Sequence, residues 1–151
     1  RPILYVDGTH LSGPYRGTML SASALDADNQ LYPIAYAIVG GETNDDWTWF
    51  MHNMKDIFNS VEVVIVSDRH NAIIHAVRYV FGSERHAYCY RHVKENFSSE
   101  YSKVHRGGRR NTPIKKEDAL KMLDGIAYAR VPCDFERAVA NMGCFNRELL
   151  I

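Results

Sequence analysis

An aspartate ends an apolar run near the start of the chain, and this feature limits the folds that the chain can adopt. Residues 3–6 are Ile-Leu-Tyr-Val, and Asp7 follows them directly. A continuous apolar run is typical of a strand that is buried on both faces of a sheet. A charge in such a place is costly unless something binds it. The sequence therefore predicts a buried strand whose aspartate has a ligand or a polar partner.

Periodicity along the chain predicts an α/β fold in which strands alternate with helices. Three strands form a meander, a helix and a strand follow twice, and further helices complete the chain. The predicted strands are residues 3–11, 18–25, 31–39, 61–66 and 86–90; the predicted helices are 47–58 (with Asn44 or Asp45 as its cap), 71–81, 92–101, 117–130 and 135–151, with Pro132 between the last two.

The connections between strands predict the order of the sheet. Strand-helix-strand crossovers are right-handed and place parallel strands side by side. We therefore expect the fourth strand beside the first, the hairpin strands on the other side, and the third strand, which contains Pro33, at the edge. This order makes Asp7, on the first strand, a near neighbour of Asp68 at the carboxyl end of the fourth strand, where ligands bind in open α/β sheets.

Composition narrows the class of protein. The chain has 18 basic and 18 acidic residues, so any nucleic-acid contact must come from a local patch. No apolar run reaches the length of about 18 residues that a transmembrane helix needs, and we expect no membrane partner and no signal peptide. The three cysteines are sparse and odd in number, which favours a reducing intracellular compartment over a disulfide framework.

The two acids at the strand ends form the sharpest candidate site. Carboxylates on neighbouring parallel strands repel each other unless a cation lies between them, and hard oxygen ligands favour Mg²⁺ or Mn²⁺ over zinc. Together with a third acid, such a pair suits two-metal catalysis of phosphoryl transfer. Spacing alone leaves open the alternative that Asp7 and Asp68 only cap the turns that follow them.

Several short motifs occur in order between residues 3 and 97. They are VDGTHL at 6–11, GPYRG at 13–17, YPIAYAIV at 32–39, WTWF at 47–50, SDRH at 67–70 and CYRHVKENF at 89–97. Together they resemble the Mutator-like element (MULE) transposase domain of the plant type. The resemblance implies an RNase H-like α/β fold, in which helices flank a mixed five-stranded sheet and a helical segment follows at the C-terminus.

The resemblance also implies a DDE acid triad that cuts DNA with divalent metal ions and joins the freed 3′-hydroxyl to a target strand. Carried over residue by residue, Asp7 is the first acid and Asp68 the second. The third acid of the family lies on a helix beyond a Cys-x-x-His motif, and Glu136 is our choice. Asp134 and Glu148 compete with it, and a position past residue 151 stays open.

Three parts are expected on this basis. They are an RNase H-like catalytic core at residues 1–102, a basic linker at 103–116 and a helical segment at 117–151, which we expect to be truncated. The linker is rich in basic residues and contains no acid, so it suits sequence-independent contacts with DNA phosphates. A solvated linker is the alternative. The candidate contacts are Lys103, Arg106, Arg109 and Arg110.

Cys89 and His92 form a Cys-x-x-His pair. A structural zinc site needs four ligands, and His86, His105 and Cys133 are the other candidates, although nothing in their spacing demands such a site. We therefore favour a half-buried cysteine beside a packing histidine over zinc.

Two histidines and one tryptophan complete the candidate residues. His10 and His70 follow the two acids closely, where imidazoles can orient phosphate, move a proton or simply hydrogen-bond a loop. Trp47 and Phe50 belong to the apolar stripe of the first helix, whereas Trp49 lies off it and is free to stack on a base.

The hypothesis from the sequence is the catalytic domain of a MULE-type DNA transposase, or of a host gene derived from one. We expect it to act on transposon ends and target DNA in the nucleus, with Mg²⁺ or Mn²⁺, as a homo-oligomer in a synaptic complex. Two alternatives stay open. One is a domesticated, catalytically inactive DNA-binding or regulatory protein, and the other is an RNase H-like nuclease without a joining step.

Overall fold

The computed structural model describes residues 2–106 and 115–150 of the chain. Contacts divide it into two compact units, Arg1–Cys89 and Tyr90–Ile151. The first unit contains a sheet with two long helices, and the described part of the second contains three helices and a 3₁₀ turn. No helix within these described ranges is long and apolar enough to cross a membrane.

A mixed five-stranded sheet forms the first unit. The strands β1 (Ile3–Leu11), β2 (Gly17–Leu25) and β3 (Leu31–Val39) are an antiparallel meander, and β4 (Val64–Ser67) and β5 (His86–Tyr88) run parallel to β1. Their order across the sheet is β3-β2-β1-β4-β5. This confirms the expected RNase H-like arrangement, with β4 beside β1 and the strand that contains Pro33 at the edge.

Burial alternates along β1. Leu4 and Val6 are almost fully buried, whereas Ile3 is 44% exposed and Tyr5 is half-buried. Strand side chains point to opposite faces in turn, so only one face of β1 belongs to the main core. The expectation that this strand is buried on both faces is therefore wrong, and Asp7 lies on the same face as Ile3 and Tyr5.

Two helices, α1 (Asn44–Phe58) and α2 (Asn71–Val80), pack on the core face of the sheet. Trp47 and Phe50 are buried as predicted, and Trp49 is exposed. The cap of α1 differs from the prediction. Thr43 precedes the helix, and its hydroxyl accepts the backbone N–H of Asp46 at 3.1 Å, a bond that satisfies one of the free amides of the first turn.

The second unit contains α3 (Tyr90–Arg106), α4 (Lys116–Ala127) and α5 (Pro132–Phe145). It has its own apolar core, formed by Phe97, Tyr101, Ala119, Met142 and Leu149. The contacts of α3 place this helix in the same unit as α4 and α5. The predicted end of the catalytic core at residue 102 stays a prediction.

Pro132 occupies the first turn of α5. Two separate helices are present as predicted, but Pro132 belongs to the second of them and not to the connection. Proline is tolerated in the first turn because its missing N–H has no helical acceptor there, so α5 begins at Pro132 rather than near Phe135.

Candidate active site

The register of the sheet aligns the two predicted acids. In the parallel ladder between β1 and β4, Tyr5 pairs with Val66. Continuing this register by two residues brings Asp7 level with Asp68, which follows the last residue of β4. Residues that lie across from each other on neighbouring strands share a face of the sheet. The predicted neighbourhood of Asp7, in the middle of β1, and Asp68, just after the carboxyl end of β4, therefore agrees with the topology.

Each of these carboxylates accepts a nearby backbone N–H. Oδ1 of Asp7 accepts the N–H of Gly8 at 3.0 Å, and Oδ1 of Asp68 accepts the N–H of His70 at 2.9 Å. The Asp68 contact is of the kind that the alternative interpretation expected, whereas Gly8 lies within β1, so no turn follows Asp7 directly. Within the part of the chain that the structure describes, neither Oδ2 takes part in a hydrogen bond. The second oxygen of each acid therefore has its lone pairs available for a ligand.

A histidine on β5 supports the end of β4. The Ser67 hydroxyl lies 2.7 Å from the carbonyl oxygen of Asp68, to which it donates, and 2.8 Å from His86 Nε2. A hydroxyl has one proton, so in this arrangement Nε2 of the imidazole is the donor to Ser67. Burial lowers the pKa of His86, and the nearby negative charge of Asp68 opposes that shift. His86 is therefore a neutral hydrogen-bond donor near pH 7.

Glu42 is the residue of this region that the sequence analysis missed. Its carboxylate is 15% exposed, and it lies 4.0 Å from His10 Nε2 and 3.6 Å from His70 Nδ1. A Cβ atom built on Gly8 would lie 2.7 Å from Glu42 Cδ. The glycine thus makes room for the carboxylate. A glycine inside an apolar strand is a signal for such a close approach, but the sequence does not tell which residue approaches.

The two predicted histidines contact Glu42 rather than the paired aspartates. The Nδ1 atom of His10 lies 3.1 Å from Thr18 Oγ1, which orients the ring on the hairpin. His70 is linked to Asp68 through its backbone N–H, and its imidazole faces Glu42. Both imidazoles therefore help to hold the loop that follows β3 against the ends of β1 and β4, and neither of them hydrogen-bonds Asp7 or Asp68 in the described residues.

The candidates for the third acid lie in the second unit. Glu136 is an exposed residue of α5. Asp134, in the first turn of that helix, forms an ion pair of 3.3 Å with Arg137. Glu148 lies in the 3₁₀ turn Arg147–Leu150, and its side chain is outside the described residues. The choice of Glu136 stays a prediction.

The candidate DNA contacts of the basic segment are only partly within the described residues. Lys103 is an exposed residue of α3 that forms an ion pair of 2.5 Å with Glu100. Arg106 ends α3, and its side chain lies outside the described residues, as do Arg109 and Arg110. A surface ion pair of this kind contributes little to stability. Contact of Lys103 with DNA stays a prediction.

The Cys-x-x-His pair has local partners. The backbone N–H of Cys89 donates to the carbonyl of Ser67 at 2.6 Å, and His92 Nε2 lies 2.8 Å from Arg91 Nη2, so the guanidinium is the donor. Residues 2–106 and 115–150 contain no group of three or more His, Cys, Asp or Glu side chains arranged to hold a metal ion. Zinc at Cys89 and His92, which the sequence did not favour, gains no support from these contacts.

A family model for the MULE transposase domain matches residues 3–96. The chain belongs to the MULE transposase domain family. The matched region runs from β1 into α3 and includes Asp7, Asp68, Glu42 and the Cys-x-x-His pair. Membership of the MULE family indicates a transposase-related function, while the plant type stays a prediction. None of the curated proteins compared with the chain matches it.

Proposed function

We propose that this MULE domain is a DDE-type DNA transposase domain, which cleaves DNA strands with divalent metal ions and transfers the freed ends to a target. One observation carries the proposal: in a MULE family member, β1 and β4 are parallel neighbours with Tyr5 opposite Val66, and this register, continued by two residues, brings Asp7 level with Asp68. An isolated pair of turn caps has no need to be aligned on adjacent parallel strands. A shared cation gives the alignment a physical reason.

The donor set of this pair fits magnesium or manganese. Each acid has one oxygen that accepts a backbone N–H and a second oxygen without a hydrogen bond in the described residues. Carboxylate oxygens are the ligands that Mg²⁺ and Mn²⁺ prefer. When bound, such ions would favour deprotonation of the attacking water or 3′-hydroxyl and stabilise the leaving oxygen.

The protein's own contribution is to hold the acids in place. The N–H groups of Gly8 and His70 orient the two carboxylates before any ligand arrives. Ser67 and neutral His86 support the end of β4 next to Asp68. The third donor is proposed to be Glu136, with Asp134, Glu148 and residues outside this sequence as competitors.

The proposal implies DNA as partner, both as transposon ends and as target. Lys103, Arg106, Arg109 and Arg110 are proposed to contact its phosphates. It further implies a homo-oligomeric synaptic complex that acts in the nucleus.

The deciding experiment is strand cleavage and strand transfer on transposon-end DNA with Mg²⁺ or Mn²⁺. Asp7→Asn and Asp68→Asn keep the Oδ1 acceptor at each position but remove the negative charge. Each variant should abolish the cleavage and transfer products, while the melting temperature stays unchanged. Glu136→Gln should have the same effect if Glu136 is the third acid. Asp56→Asn, an identical change at an exposed position of α1, is the control and should leave activity intact. Cleavage that survives either change of the pair contradicts the two-metal proposal.

A non-cutting, transposase-derived DNA-binding or regulatory protein is the second candidate. It is favoured by one observation: Oδ1 of each acid already accepts a local backbone N–H, and the described residues bring no third donor to a metal cluster. Such a protein would bind DNA with equal affinity before and after Asp7→Asn. It would give no product with Mn²⁺ under any condition that supports binding.

A further inference from the structure

We propose that a pocket beside the end of β1 binds a backbone phosphate of DNA, which would position the strand that approaches Asp7 and Asp68. The pocket has a volume of about 440 Å³. Three segments form it: the end of β1 with the turn that follows, the start of β2, and the Gly40-Gly41 pair after β3. The inference rests on the proposed function, because that function supplies DNA as the ligand.

The charges around the pocket suit an anion. Arg16 lies in the turn between β1 and β2, and within the described residues it forms no ion pair. A guanidinium with unused donors binds phosphate oxygens in a two-pronged geometry. Ser12 and Thr18 add hydroxyl groups to the lining, and no acidic side chain is part of it.

The glycines of the pocket are of two kinds. Gly17 has φ +156° and a built Cβ atom there would lie 2.8 Å from the carbonyl oxygen of Val39, so the backbone requires a glycine. Gly40 and Gly41 have no such requirement, because neither has a positive φ and a Cβ atom at either would meet nothing within 4 Å. The fold therefore does not explain them. Bare backbone at a pocket is what a closely approaching ligand needs.

Glu42 is the nearest acid in sequence, and its charge is directed elsewhere. Its two oxygens face His10 Nε2 at 4.0 Å and His70 Nδ1 at 3.6 Å. His10 lines the pocket, and its other nitrogen lies 3.1 Å from Thr18 Oγ1. The pocket thus offers the guanidinium of Arg16 to a ligand, because both ring nitrogens of His10 already face protein atoms.

The position of the pocket fits a role beside the acids. His10 is three residues beyond Asp7 on the same strand. A strand rises by about 3.3 Å per residue, which separates the two residues by roughly 10 Å. Residues three apart on a strand face opposite sides of the sheet, so the side chains of Asp7 and His10 start from different faces. The proposed phosphate at Arg16 therefore belongs to a DNA segment that passes around the end of the β1–β2 hairpin.

The test is DNA binding by the 151-residue chain, measured by fluorescence anisotropy with a short labelled duplex in EDTA, so that no metal-dependent cleavage occurs. Arg16→Gln should weaken binding about tenfold at 0.1 M salt. It should also lower the slope of log affinity against log salt by about 0.9, the value for one lost phosphate contact, when salt is varied between about 50 and 200 mM. Arg78→Gln, which removes the same charge from an exposed position of α2, should change neither quantity.

A second variant tests the pocket without touching its charge. Gly40→Ala adds one methyl group where the folded chain leaves space, so it should weaken DNA binding severalfold while the melting temperature stays the same. The inference is overturned if Arg16→Gln weakens binding no more than Arg78→Gln does, or if the chain binds no DNA even at low salt. Because anisotropy measures binding and needs no cleavage, a chain that fails to cleave DNA would not refute the phosphate pocket. Conversely, if Arg16→Gln leaves both cleavage and binding normal, the phosphate pocket is refuted and the proposed catalytic function is not.

Discussion

Gly8 and Glu42 show how one missing side chain creates space for a carboxylate. Gly8→Ala would place a methyl group 2.7 Å from Glu42 Cδ. The carboxylate is the end of a flexible side chain and can turn away, so we expect the free energy of unfolding to change by less than about 1 kcal/mol. The contacts of Glu42 with His10 and His70 should be lost. Urea denaturation measures the first effect, and imidazole chemical shifts measure the second.

Gly17→Ala is the matched control for this prediction. Its added methyl group would meet the Val39 carbonyl oxygen at 2.8 Å, and a paired backbone carbonyl cannot turn away. We expect a loss of about 2 kcal/mol or more. Equal losses for the two variants would contradict the account of Gly8, because they would mean that Glu42 is held rigidly.

His86 predicts a pH dependence of stability. Burial lowers its pKa in the folded protein below the ordinary value of 6.5, against the opposing influence of Asp68. The unfolded chain therefore binds a proton at a pH where the folded chain does not. By linkage, the free energy of unfolding should fall as the pH drops below about 6.5 and should level off below the lowered pKa. Urea midpoints measured between about pH 7 and pH 5 test this.

His86→Gln separates this contribution from those of the other histidines. The amide of glutamine can still donate to Ser67 but does not titrate in this range. The variant should lose less stability on acidification than the wild type. In the wild-type background, Asp68→Asn removes the charge that raises the pKa of His86, so NMR should show a still lower pKa. Identical pH profiles for wild type and His86→Gln would refute the assignment.

At the scale of elements, the sequence predicts the sheet well because its signals are local. Alternating or apolar runs identify the strands, and the right-handed crossover rule then leaves few orders for them. Pro33 indicates an edge strand because proline lacks the N–H that an inner strand would donate. The same reasoning predicts that Asp7 and Asp68 are near neighbours, and the register of β1 and β4 agrees with it.

Details that depend on tertiary contacts were missed. The carboxylate of Glu42 approaches Gly8 from a loop that is distant in sequence, and no periodicity reveals such an approach. Burial on both faces of β1 was expected from composition, but the apolar side chains alternate between the core and a more exposed face. The first helix is capped by Thr43 and begins at Asn44, earlier than the predicted caps Asn44 or Asp45 allow. The sequence could not select the cap because Thr43, Asn44 and Asp45 are all good capping residues.

The Thr43 cap gives a prediction for α1. Its hydroxyl accepts the N–H of Asp46 at 3.1 Å, and that amide has no helical acceptor. Thr43→Ala should lower the free energy of unfolding by about 1 kcal/mol, as measured by urea denaturation. Thr43→Ser keeps the hydroxyl and should stay close to the wild type. A Thr43→Ala variant as stable as the wild type would show that solvent caps α1 equally well.

For the molecule as a whole, the distribution of charge matters more than its sum. The 18 basic residues balance the 18 acidic ones, so no long-range field attracts DNA to the entire surface. Any affinity must come from local groups of basic residues. The proposal names two: the segment that contains Lys103, Arg106, Arg109 and Arg110, and the pocket with Arg16.

The salt dependence of DNA affinity can show whether the basic segment contacts DNA or only adds to the total charge of the chain. Replacing all four residues of the basic segment by glutamine should lower the slope of log affinity against log salt by roughly 3 to 4 for duplex DNA, if each contacts one phosphate. The same number of glutamines at Arg78, Lys121, Arg130 and Arg137 gives a control of equal net charge. Those four side chains are exposed, so both variants should fold. If the slope falls equally in both variants, affinity follows total charge and the basic segment is only a solvated linker. If it falls only in the basic-segment variant, the segment contacts the DNA backbone.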